Sequence, residues 1–168
     1  QIQNMNSGRY LIPSSDSKPT SFCIGVACYP EKHKDSQHID TDISYFKRKV
    51  DAGASYAVTQ MFFDNNYYFN FVERCRKAGI SIPIIPGIRV LTKTDHLASI
   101  PEIFYAKLPE ELSYEVTHAS NQSQVRETGI NHAVKQAREL FDRKVPLVHF
   151  YVVQDPEAVI QVVNRLGI

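Results

Sequence analysis

The run Ala27-Cys28-Tyr29-Pro30-Glu31-Lys32-His33 closes an apolar stretch with a Tyr-Pro step and then exposes a histidine. A histidine four residues beyond a buried strand can hydrogen-bond a phosphate or a ribose, and a tyrosine at a strand exit can lie against a flat ring. The alternative is a solvated His33 and a Tyr29 on the rim of the core. Further on, Asp42, Tyr45 and Lys49 stand at i, i+3 and i+7 of one helical face, with Arg48 beside Lys49. A carboxylate followed by two cations suits the ribose and diphosphate of a nucleotide cofactor. The same pattern also fits a solvated face whose Asp-Lys pair is worth well under about 1 kcal/mol. Gln60 ends the run Tyr56-Ala57-Val58-Thr59. Its paired donor and acceptor match a lactam edge such as that of a pterin or nicotinamide, or else bond a neighbouring loop. Phe62 and Phe63 read as core more readily than as ring-stacking groups.

These groups need a scaffold, and the chain alternates strand and helix patterns. Phe22 to Tyr29 is apolar without alternation, as in a strand buried on both faces. Asp40 or Thr41 can cap a helix carrying Ile43, Phe46 and Val50 until Gly53 stops it. Tyr56 to Phe63 is the second strand, followed by a helix capped by Asp64 or Asn65 and closed at Gly79. The third strand runs from Ile82 to Ile88 and breaks at Pro86-Gly87, where turn formation alone accounts for the glycine. Helices are expected over 94–104, 109–118 and 124–143, then a fourth strand over 147–153 and a last helix opened by Pro156 and followed by Gly167. His149 in that strand reads as a buried, hydrogen-bonded core residue.

Apolar strands alternating with helices imply parallel pairing through right-handed crossovers. Four strands are about half of a closed eightfold barrel, which usually needs about 250 residues; the rival is a small, open, doubly wound sheet. Residues 1–21 read as a helix remnant and linker, and 22–168 as the folded unit.

The 168 residues carry 19 Lys plus Arg against 18 Asp plus Glu. That balance argues against a nucleic-acid surface. No apolar run is long enough to span a bilayer, so a cytoplasmic protein without a membrane partner is expected. Cys23, Cys28 and Cys75 read as reduced, buried thiols, and no metal site is expected of them. Gly-rich phosphate loops, GxSxG and HExxH are all missing from the sequence.

Taken together, Ala27 to His33, Lys47-Arg48-Lys49-Val50-Asp51-Ala52-Gly53-Ala54, Thr59-Gln60-Met61-Phe62-Phe63-Asp64, Pro83-Ile84-Ile85-Pro86-Gly87-Ile88 and His149-Phe150-Tyr151 resemble, in order and spacing, the methylenetetrahydrofolate reductase family. The resemblance covers Phe22 to about Leu166. It implies a (β/α)8 TIM barrel of which this chain supplies about the last four β/α units. FAD would bind at the C-terminal ends of the strands, NADH or NADPH would be the electron donor, and 5,10-methylenetetrahydrofolate the substrate reduced to 5-methyltetrahydrofolate. Carried over by motif, Tyr29, His33, Asp42, Arg48 and Lys49 are the expected FAD contacts, and Gln60 the amide that meets the folate pterin and the nicotinamide. A homo-oligomer is expected.

The chain departs from the family pattern at two places. His96 stands where the family often has a glutamine, and Gln154-Asp155 where it often has an Asn-Arg pair. An acid in place of a cation would weaken contact with the folate glutamate tail. The general-acid glutamate and the flavin-tuning aspartate of the family are expected in an N-terminal half that this chain, beginning at Gln1, does not contain. The alternative to a reductase is a non-catalytic half-barrel that binds or self-associates.

Overall fold

The computed structural model describes residues 1–153 and 155–168. A short helix α1 (Ile2–Asn6) precedes β1 (Gly25–Cys28), α2 (Ile39–Asp51), β2 (Tyr56–Met61), α3 (Asn65–Lys77) and β3 (Ile84–Ile88). Then come α4 (His96–Phe104), α5 (Glu110–Thr117), α6 (Gln122–Asp142), β4 (His149–Phe150) and α7 (Pro156–Leu166). All three strand pairs are parallel, and the spatial order is β1-β2-β3-β4, the order of the sequence. A doubly wound sheet reverses its strand order at a switch point. This sheet does not reverse, so the structure carries the singly wound βα arrangement of a TIM-type barrel and discards the doubly wound rival.

Unreversed order with right-handed crossovers puts the helices on one face, and burial follows. Along β2, Ala57, Thr59 and Met61 are buried while Tyr56, Val58 and Gln60 are half-buried. Cys28, Ala57, Ile84 and Ile88 share a core with Phe46 of α2, Phe71 and Cys75 of α3, Ile130 and Ala137 of α6, and Val162 of α7. The strands are therefore covered on one face only, against the expectation of burial on both. At the C-terminal end a second cluster packs Met61 and Phe63 with Leu91, Ile100, Leu112, Val116 and Val125. Phe62 and Phe63 are core residues, as their spacing suggested.

Local signals set several helix ends. Asp64, Asn121 and Asp155 each accept a backbone N–H at the start of α3, α6 and α7. Gly79 and Gly167 leave their helices with positive φ. Helix α2, like α1, α4 and α5, starts without a side-chain cap bond; its N-cap is His38. Asp40 pairs with Arg74 instead, and Asp42 is drawn to the loop before the helix.

The strands are shorter than their apolar runs. β1 begins at Gly25 and leaves Phe22 and Cys23 exposed, so of the three thiols only Cys28 and Cys75 are buried. β4 has two residues, Gly87 pairing with His149 and Ile88 with Phe150; Leu147, Val152 and Val153 are exposed. β4 stands at the sheet edge, and His149 is exposed rather than buried, packing edge-on against Tyr151 at 4.7 Å.

Pro86-Gly87 lies within β3 and not after it. The β2–β3 register slips between Val58 and Met61 beside this step, as expected where a residue without an N–H enters a ladder. Gly87 is required by space rather than by a turn: a Cβ there would stand 2.5 Å from the Thr59 carbonyl oxygen and 2.6 Å from the Tyr151 ring. Thr59 gathers this end of the sheet. Its Oγ1 accepts from the Gly87 N–H at 2.9 Å and its carbonyl accepts from the Tyr151 hydroxyl at 2.8 Å.

Candidate functional site

The C-terminal end of β1 and the exposed face of α2 enclose a cleft of about 840 Å³. All five residues expected from the sequence to hold a cofactor line it: Tyr29, His33, Asp42, Arg48 and Lys49. The geometry follows from the elements. β1 ends at Cys28 and delivers Tyr29 to the rim; the loop then turns back so that the His33 N–H donates to Asp42 Oδ2 at 2.8 Å. The His33 ring meets Tyr29 edge-on at 4.7 Å. Two turns along α2, Lys49 Nζ donates to the Ala27 carbonyl at 3.0 Å and so ties the helix to the strand.

Two cations of this cleft, Arg48 and Lys49, can meet an anion, beside the carboxylates of Asp35 and Asp42. Arg48 and Lys49 have no carboxylate partner among the described residues. Arg48 lies over the Tyr45 ring at 5.6 Å. Tyr45 is 55% exposed on the same face, one turn before Lys49. Burial raises the Tyr29 phenol above its ordinary range, and Asp42 and then Cys28 add to the effect, so at neutral pH it remains a neutral donor. Burial likewise raises the Cys28 thiol, which keeps it protonated and unreactive. A cleft of this volume, lined by two cations, the carboxylates of Asp35 and Asp42 and the rings of Tyr29 and Tyr45, has the groups to hold a dinucleotide.

Gln60 lies outside this cleft. It borders a separate cavity of about 10 Å³ with Tyr29, Glu31, Lys32, Phe104, Tyr105 and Ala106, so Tyr29 is the wall common to both. The Gln60 Oε1 accepts the N–H of Met61 at 2.9 Å. Glu31, in the motif but given no role from sequence, forms the other side of this cavity. Its two oxygens accept the Lys107 N–H at 3.2 and 3.0 Å.

The two places where the chain departs from the family pattern come together. His96 and Asp155 line a third cavity, of about 280 Å³, at the ends of β3 and β4, with Arg89 and Arg126. Gln154 lies outside the described residues. Asp155 is held by Arg126, whose Nε and Nη2 donate to its two oxygens at 2.8 and 3.1 Å. This pair holds the Asp155 carboxyl below its ordinary range. The acid therefore arrives with its own cation, and Arg89 adds another that burial desolvates. Burial, and then Arg89 and Lys93, lower His96 below the usual histidine range. No local pattern announces the Arg126–Asp155 pair, since its members are 29 residues apart.

Among the described residues no helix is long and apolar enough to cross a membrane, and no group of three or more metal-ligating side chains is found.

Comparison with known proteins agrees with the fold. The family model described as methylenetetrahydrofolate reductase matches residues 10–167. Methylenetetrahydrofolate reductase 1 of Schizosaccharomyces pombe is 36% identical over 148 residues, which are 88% of this chain and 24% of that protein. The 5,10-methylenetetrahydrofolate reductase of Salmonella typhimurium is 34% identical over 88% of this chain and 50% of its own length. The chain thus spans from about a quarter to half of these relatives. Among solved structures, a Clostridium thermocellum protein that binds two copies of 5-methyl-5,6,7,8-tetrahydrofolic acid matches with a TM-score of 0.57. Its identity is 14%, over 86% of this chain and 53% of that one, a likeness of fold.

Proposed function

Because the chain belongs to the methylenetetrahydrofolate reductase family, we propose that the cleft beside β1 holds FAD and that Gln60 meets the substrate of a methylenetetrahydrofolate reductase reaction. The observation that carries this reading is the convergence of Tyr29, His33, Asp42, Arg48 and Lys49 on one cleft of about 840 Å³. FAD held there would supply the hydride-transfer chemistry between NADH or NADPH and 5,10-methylenetetrahydrofolate, with 5-methyltetrahydrofolate as the product. Relatives named for either nicotinamide donor match the chain, so the donor stays open.

The chain's own residues bind and orient. Arg48 and Lys49 neutralise the diphosphate, and the Asp42 oxygen not bonded to His33 accepts from a ribose hydroxyl. Tyr29 offers its ring to the flat face of the cofactor. The Met61 N–H fixes the Gln60 Oε1, whose second lone pair, with the Nε2 donor, is left to present to a lactam edge. Arg89 suits a carboxylate of a folate tail, with Asp155 already neutralised by Arg126. A fold neighbour that binds 5-methyltetrahydrofolate is in keeping with this folate role. We assign these residues no proton transfer.

The test is titration of FAD into the purified chain, followed by flavin fluorescence and the visible spectrum. Saturable quenching, weakened by Arg48→Ala, supports the reading; the absence of any saturable binding overturns it. A second reading, a half-barrel that binds or self-associates without turnover, is favoured by the sheet face bearing Tyr56, Val58 and Ile85, which is only half-buried. A dimer in size-exclusion chromatography that takes up no flavin would select it.

A further inference from the structure

We propose that Glu31 is a positioning residue: by holding the Lys107 amide, its carboxylate clamps the connector between α4 and α5 onto the exit of β1 and so sets Gln60 relative to Tyr29. The role of Gln60 in substrate binding rests on the reading above; the coupling itself does not.

Both Glu31 oxygens accept one backbone N–H from a residue 76 positions away. The contact is reinforced on each side. Lys32 Nζ sits 4.3 Å over the Tyr105 ring and donates to the Ser36 carbonyl at 2.6 Å. Lys107 Nζ lies over the Tyr67 ring at 5.6 Å. Lys32 (φ 144°) and Tyr105 (φ 59°) are two of three non-glycine residues with positive φ in the described chain. Such backbone persists where its surroundings over-determine it, and here the two strained residues meet across the clamp. Tyr29, Glu31, Gln60, Tyr105 and Ala106 enclose a space of about 10 Å³, at the lower limit for one water. A shift of the connector must therefore be felt at Gln60.

The clamp is titratable. Burial raises the Glu31 carboxyl to about 7; the Lys107 amide and ammonium oppose the rise, and Asp64 adds to it. Lys32 from its own loop, Lys107 and Tyr105 from the connector and Asp64 from the start of α3 are the charged and titratable groups around it. The ionised carboxylate accepts the N–H more strongly than the neutral acid, so the clamp tightens as pH rises through neutrality.

Proton–nitrogen NMR of the whole chain across pH 5 to 9, without flavin, tests this. In the wild type the Lys107 amide and the Gln60 side-chain amide should titrate together with a midpoint near 7. In Glu31→Gln, which keeps an oxygen acceptor, both titrations should vanish while the Tyr29 backbone amide signal stays in place. In Glu31→Ala the Gln60 and Tyr29 signals should move. A Lys107 amide that does not follow pH overturns the clamp. A Gln60 amide that stays still while Lys107 titrates overturns the coupling; should Glu31→Ala fail to fold, the wild type and Glu31→Gln decide it. Either failure leaves the flavin titration, and the reading it tests, untouched.

Discussion

The N–H of His33 donates to Asp42 Oδ2 at 2.8 Å, so the loop leaving β1 is fastened to the first turn of α2. One carboxylate thereby shapes the cleft wall and still has an oxygen to offer a ligand. Replacing Asp42 by Ala should cost about 1 kcal/mol of stability in urea unfolding, as expected for a partly exposed hydrogen bond to a charged group. It should also weaken FAD binding about tenfold in a fluorescence titration. Asp42→Asn, which keeps an acceptor, should fall between the two.

Arg48 and Lys49 bring to the same cleft two cations without carboxylate partners among the described residues. If they meet a diphosphate, Arg48→Ala and Lys49→Ala should each weaken FAD about fivefold to tenfold. Riboflavin, which has no phosphate, should bind the variants and the wild type alike. The dependence of FAD affinity on salt should flatten in both variants. Equal losses for FAD and riboflavin would place the cations elsewhere than on phosphate.

Gly129 lies in α6 where the helix crosses the chain beyond β3, and a Cβ there would come within 1.7 Å of the Leu91 carbonyl oxygen. Backbone cannot yield as a flexible side chain does. Gly129→Ala should therefore lower stability by about 3 kcal/mol or more, the upper range for overpacking. Urea unfolding measures this directly.

His132 Nε2 donates to the Phe63 carbonyl at 2.9 Å. Burial lowers its pKa from 6.5, while that hydrogen bond works the other way. Above pH 6.5 both folded and unfolded chains hold it neutral, and it adds no pH dependence. As pH falls below 6.5 the unfolded chain takes up a proton that the folded one resists, so the folded state loses stability. The stability difference between wild type and His132→Gln should therefore shrink between pH 7.5 and 5.5 in paired urea titrations. A difference independent of pH would contradict this.

Much of the fold is local, and the sequence alone determined it. Helix starts at Asp64, Asn121 and Asp155 rest on side chains that cap backbone a few residues away. Helix ends at Gly79 and Gly167 need a φ that glycine adopts freely. The spacing of Asp42, Arg48 and Lys49 fitted a solvated face as well as a ligand wall, and only the family resemblance joined them to Tyr29 and His33; the strand followed by a helix packed back upon it brings all five to one cleft. What only the tertiary structure decided depends on residues that meet across the fold. The one-sided covering of the sheet, the two-residue β4 and the space demanded at Gly87 depend on which strands and rings are neighbours. The Asp155–Arg126 pair and the Glu31–Lys107 contact join positions 29 and 76 residues apart. Neither periodicity nor capping carries information over such separations. For the same reason Gln60 stands in its own cavity, beyond the Tyr29 wall, rather than in the cleft beside it.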